Sequence, residues 1–437
     1  MEVEKTRGCW IYPKNGKRIF DLRSAHECAN LGFNHPEILR AMEDQMKKVA
    51  YVTDDFATKP TAELSEKLAK LTPGSPNKKV WFGQSGASSI EAAIKAARMF
   101  KYNELIERGP SFYDASNQYP YPYKIITRYR SWHGATMGAL SAGTDPRKWF
   151  AEPLTAPGFI AAPESYPYRS PFGDDPDGKK SLRYLKHIIE MEGGSGSIAA
   201  FLIEPVVGSN GIIPTPVYYM KKVRELCDEF GILLIVDETM TGMGRTGKLL
   251  AIEHYDIVPD IIVMGKALGM YSPLSATIFS EKVARGFDQN IFGHGQSYSG
   301  HSLGCAAALA SLNILEEKHF MANVQEKGDY LQKKLMKLQD KYSFIGDVRG
   351  LGLMWTLELV NESKNRSAYR NFMQKYERTP VQLLAEHLLE QNRVYVPGDK
   401  FGVWIVPPLV VTLEEIDWLV EQLDDSLRYF KQLIENE

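Results

Sequence analysis

A chain of 437 residues, 44% apolar and 24% charged, exceeds one ordinary domain and has the composition of a globular protein with a sizeable core. Its formal net charge of −2 offers no basic field to nucleic acid or an anionic membrane, so neither is expected as a partner. No stretch approaches the roughly 20 unbroken apolar residues of a membrane span, and the opening seven residues carry no apolar leader core, so a cytoplasmic protein is expected.

In chain order, helical periodicity appears first over 61–71 and then over 88–100, with a run of small residues, Phe82-Gly83-Gln84-Ser85-Gly86-Ala87, ahead of the second helix. Residues 113–123, with four tyrosines and two prolines, read as a surface insertion. From there short β-rich runs (123–129, 198–203, 231–236, 260–264, 274–279) alternate with helical ones (218–230, 304–317), the signature of an α/β fold. The run Ile232-Leu233-Leu234-Ile235-Val236 is apolar throughout, which suits a strand buried on both faces of a mainly parallel sheet and places its carboxyl end at a ligand crevice. Past residue 320 come a charged helix, an apolar run over 353–360 and an amphipathic helix from Thr412, together a separate α+β unit. Cys9, Cys28, Cys227 and Cys305 lie far apart without CxxC spacing; buried thiols are expected, and neither a zinc site nor a disulfide framework.

Four segments carry chemistry. Asp237 ends the buried strand and Lys266 ends the next apolar run, which puts an acid and an amine at neighbouring strand ends. That pair fits pyridoxal 5′-phosphate (PLP), whose ring nitrogen needs an acid and whose aldehyde takes a lysine; the plain alternative is a helix cap and a solvated lysine. Ser85, Gly86 and Ala87 precede a helix and suit a phosphate, although serines there also serve as ordinary caps. Trp132 follows a strand and can stack on a planar ring or simply fill the core. Ser297 lies in a hydroxyl-rich stretch and can donate to a phosphate; His294 and His301 nearby lack metal-ligand spacing, so no metal is expected. Gly242-Met243-Gly244-Arg245-Thr246-Gly247 matches a dinucleotide fingerprint by letter, but it follows its strand too late and precedes no clear helix.

Taken together these segments resemble the class III aminotransferases, PLP enzymes of fold type I. The likeness runs through Tyr12 to Leu22, Asn30 to Pro36, Asp237 to Gly247 and Gly265-Lys266. It implies a large PLP-binding domain over 51–315 and a small domain formed by 1–50 and 316–437. It further implies that Lys266 is the Schiff-base lysine and proton shuttle, and Asp237 the partner of the ring nitrogen. Ser85, Gly86, Ala87, Trp132, His133, Thr239 and Met240 would complete the cofactor site, and Ser297 would reach the same phosphate from a second subunit. A homodimer with shared active sites follows, with a tetramer as the alternative assembly. The implied reaction moves an amino group from an amine or ω-amino acid, such as β-alanine, taurine or 4-aminobutyrate, to a 2-oxo acid, pyruvate in first place, by a ping-pong mechanism.

Two departures bear on substrate. Relatives that clamp an α-carboxylate often use an arginine where this chain has Trp404, three residues before Pro407-Pro408. Glu204, which commonly pairs with such an arginine, is then left to meet the substrate amine or to cap its surroundings. An amino-acid racemase or epimerase with the same core is the alternative reaction, and a non-catalytic binding module the alternative class; retention of Lys266 and Asp237 speaks against the latter.

Overall fold

The computed structural model describes residues 1–107, 121–288, 290–361, 376–397 and 402–435. Seven strands form its central sheet: β1 (Lys79–Gly83), β2 (Lys124–Arg128), β3 (Phe159–Ala162), β4 (Ile198–Ile203), β5 (Leu233–Asp237), β6 (Ile261–Met264) and β7 (Ser275–Phe279). Their spatial order is β1-β7-β6-β5-β4-β2-β3, with β6, β5, β4, β2 and β3 parallel and β7 antiparallel to both its neighbours. The sheet is therefore mixed and dominated by parallel strands.

Alternate side chains show why β5 reads as a continuous apolar run. Leu233 and Ile235 join Ile90, Ala93, Ile94 and Ala97 of the helix Gly86–Glu107 on one face, whereas Leu234 and Val236 join Val223 and Leu226 of the helix Val217–Glu229 on the other. Each fully buried Leu, Ile or Val contributes about 1.5–3 kcal/mol. With both faces covered, function is confined to the strand ends.

The two chain ends meet in a second sheet, where Val394–Tyr395 pairs in parallel with Ile19–Asp21 beside Trp10–Pro13 and Val3–Arg7. A third sheet joins Ile345–Leu351, Met354–Leu359 and Val403–Ile405. Long helices, Phe320–Lys341 and Leu413–Glu435, flank them.

The five strands expected from sequence are present within two residues of their expected ends, but the sheet also contains β1 and β3, which were not anticipated. Both are its edges, and their partly exposed patterns lack the unbroken apolar run that marks a central strand. Residues 113–120 of the expected insertion lie outside the described residues. Cys9, Cys227 and Cys305 are buried free thiols and Cys28 is half-buried. Among the described residues no helix is long and apolar enough to cross a membrane.

The glycine-rich 242–247 segment is a series of turns followed only by the short helix Ala251–His254. Its Arg245 is completely buried and donates to Leu353 O, Pro407 O, Ser24 Oγ and Asn30 Oδ1. The segment thus ties the central sheet to both chain ends.

Candidate active site

Parallel pairing of β5 with β6 sets Asp237 opposite Val263, so the chain leaves β6 through Gly265 and delivers Lys266 beside Asp237. Lys266 has φ +46°, a left-handed conformation that a non-glycine residue adopts under constraint. Gly86, the first residue of its helix, packs against the same corner. A Cβ on Gly86 would lie 2.7 Å from Thr239 Cγ2, and one on Gly265 would lie 3.0 Å from that methyl. Ser85 caps the helix by accepting from Ser88 N at 3.2 Å. Gly134 closes on Ala87, where an added Cβ would come within 2.5 Å. The small residues read as phosphate candidates are thus adjacent to Asp237 and Lys266.

The buried His133 places Nδ1 2.8 Å from Asp237 Oδ2, and Asp237 Oδ1 accepts from Thr239 N at 2.9 Å. Among the described residues His133 Nε2 and Thr239 Oγ1 are buried without a hydrogen-bond partner. Unpaired buried polar atoms are costly, by about 1–3 kcal/mol each, and two of them beside an acid, a lysine and a helix start are what a polar, phosphate-bearing ligand would satisfy. The residues present therefore fit PLP. Arg147 covers one face of the Trp132 ring at 3.5 Å, so a planar ring has to stack on the other. Met240 packs in a buried cluster with Trp404, Val206, Ile212, Met354 and Val406.

Glu204 is buried, and its oxygens accept from Trp132 N at 3.1 Å and Gly208 N at 3.0 Å. Burial pushes its carboxyl pKa up, against the opposing pull of His133. Any substrate amine would have to share those oxygens. Ser297 is exposed, its carbonyl accepts from Tyr51 Oη, and no hydrogen bond among the described residues ties it to Asp237, Lys266 or 85–87.

Sequence reasoning passed over Glu27 and Arg23. Lys266 Nζ donates to Glu27 Oε2 at 2.5 Å, and Arg23 Nε donates to Glu27 Oε1 at 3.0 Å. Ser24, Ala25, His26 and Glu27 all have positive φ, from +49° to +61°, a left-handed turn costing roughly 1–2 kcal/mol per residue. Asp21 holds it by accepting from Arg23 N and Ala25 N, and Ser24 Oγ donates to Val406 O. No periodicity announces such a turn.

Burial opposes the Glu27 charge, but Lys266 and Arg23 outweigh it and hold the carboxyl below its ordinary range. A lowered folded pKa contributes stability that is fully present above about 4.5, the ordinary value, and lost as pH falls through the folded one. The apoprotein's unfolding midpoint should therefore drop more steeply below that pH than in Glu27→Gln. Parallel curves for the two proteins would contradict the pairing.

A mainly parallel sheet with an acid and a lysine on adjacent strand ends, above a small-residue helix start, defines a PLP-dependent transferase of fold type I. The chain belongs to the class III aminotransferases, whose family model, Aminotransferase class-III, matches residues 1–427. It is 32% identical over 426 residues to the acetylornithine aminotransferase of Methanocaldococcus jannaschii, covering 98% of this chain and 93% of that one. Among solved structures it resembles an (S)-enantioselective omega-transaminase from Thermomicrobium roseum (TM-score 0.87, 32% identity, 98% of this chain and 92% of that one). It also resembles the taurine:2-oxoglutarate aminotransferase of Bifidobacterium kashiwanohense in complex with PLP and glutamate (TM-score 0.86, 31% identity, 99% and 93%). The protein is an aminotransferase and its cofactor is pyridoxal 5′-phosphate.

Proposed function

We propose that this aminotransferase takes its amino group from ω-amino acids such as β-alanine, taurine or 4-aminobutyrate and passes it to a 2-oxo acid, with pyruvate preferred. The observation that carries the reading is the corner where Lys266, Asp237, Thr239 and the Gly86 helix start converge. The likeness to an omega-transaminase and to a taurine:2-oxoglutarate aminotransferase supports the donor class. When bound, PLP supplies an aldehyde that condenses with amines and a ring that accepts the electron pair released at the substrate carbon.

The rest is work for this chain's side chains. Lys266 Nζ would hold the cofactor covalently and would carry the proton taken from the substrate carbon. Asp237, oriented by His133 and Thr239 N, would face the ring nitrogen. Ser85, Gly86 and Ala87 would bind the phosphate, and Trp132 would stack on the ring. Ser297 of a second copy completes the phosphate site, which makes a homodimer the functional unit. We place the enzyme in the cytoplasm.

The test is a two-stage titration of the yellow holoenzyme. β-Alanine, taurine or 4-aminobutyrate should bleach it and pyruvate should restore the colour, with alanine released. A holoenzyme bleached by none of the three would contradict the donor class. Recovery with 2-oxoglutarate alone would replace the acceptor, and proton exchange without bleaching would indicate an isomerase.

A further inference from the structure

We propose that Arg23 is the specificity residue that receives the acidic group, carboxylate or sulfonate, of the amino donor. The inference rests on Lys266 marking where the donor amine reacts. Arg23 is linked to Lys266 through the two oxygens of a single carboxylate, at 2.5 Å and 3.0 Å, so it stands one carboxylate's width from the reacting nitrogen. Glu27 engages only Arg23 Nε; no hydrogen bond or ion pair among the described residues uses the two Nη groups. The Arg23 side chain is only 15% exposed. A shielded guanidinium with a pair of parallel donors left over matches the two oxygens of an acid group.

The surroundings fix it in place. Its guanidinium lies 4.8 Å over the ring of Trp404, which is buried and packs in the same cluster as Met240, three residues beyond Asp237. Stacking on an aromatic face leaves the in-plane N–H groups of an arginine available. Backbone order comes from the left-handed turn that starts at Ser24, with Arg23 N bonded to Asp21 Oδ1 at 2.9 Å. Glu27 serves two purposes: it aims Arg23, and it keeps a cation next to Lys266 electrostatically tolerable. A donor bearing an acid two or three carbons from its amine spans from the Lys266 nitrogen to Arg23; an amine without the acid leaves Arg23 unused.

The experiment compares β-alanine with propylamine, of equal chain length but lacking the acid, in the donor half-reaction of wild-type and Arg23→Gln holoenzyme. Loss of a shielded charge-assisted hydrogen-bond pair should cut the β-alanine to propylamine ratio of kcat/KM by roughly 50-fold, mostly through KM. Calorimetric titration of both holoenzymes with propanoate reads binding without turnover, and should show affinity lost in the variant. Arg23→Lys, which keeps the charge without the fork, should recover only part of the ratio. Equal losses for both donors, an unchanged ratio, a wild type indifferent to the acid group, or propanoate binding unaffected by the substitution would each overturn the proposal. Because propylamine needs only the amine-exchange centre, its bleaching of the wild type shows whether the transaminase reading stands when the Arg23 proposal fails.

Discussion

Lys266→Ala should remove turnover almost entirely, lowering kcat by roughly ten-thousand-fold, because the proposed mechanism gives one nitrogen both the covalent attachment and the proton transfer. Among the described residues no other base is placed to substitute. His133 is committed to Asp237, and Glu204 to two backbone N–H groups. Glu27 alone sits at the right corner, but burial and its bond to Arg23 leave it without the reach of a lysine. The variant should still bind PLP through the helix start and Asp237, and added ethylamine should restore a fraction of the rate by standing in for the missing amine. Single-turnover kinetics with and without ethylamine check this; a variant within about tenfold of wild type would remove Lys266 from the reaction.

The second large effect is expected from Asp237→Asn. Asparagine keeps the shape and can still accept from Thr239 N, so folding should be nearly unchanged. It cannot carry the negative charge that, in the proposed mechanism, would keep a proton on the ring nitrogen, and the ring without that proton is a poor electron acceptor. The expected loss is roughly a thousand-fold in kcat with KM changed far less, and Asp237→Glu should recover only part because it displaces the bond to His133. Equal kcat in Asp237→Asn and wild type would show that the carboxylate only organises the strand end.

How much of this was readable from the sequence depended on local pattern. β4, β5 and β6 announced themselves because burial on both faces demands apolar residues at every position, and from them the adjacency of Asp237 and Lys266 followed. The edges β1 and β3 did not, since partly exposed strands tolerate mixed sequence. The run of small residues at 85–87 was legible ahead of a helix, and for Gly86 the structure gives a reason: Thr239 presses on it too closely for a Cβ.

Arg23 and Glu27 were not legible. They lie 243 and 239 positions before Lys266 in the chain, in a segment without helical or strand periodicity, and only the left-handed turn held by Asp21 and Ser24 brings them to it. Trp404 was noticed as a missing arginine, yet its stacking with a different arginine depends on contact between the two chain ends. Such contacts leave no signature in spacing.

The most direct measurement is borohydride reduction of the holoenzyme followed by peptide mass mapping. The expected result is a single modified peptide with the pyridoxyl group on the Lys266 nitrogen, and none when the protein is first treated with an amine donor that displaces the lysine. A pyridoxyl group on any other lysine, or none on a yellow protein, would contradict the assignment of Lys266 as the reacting residue.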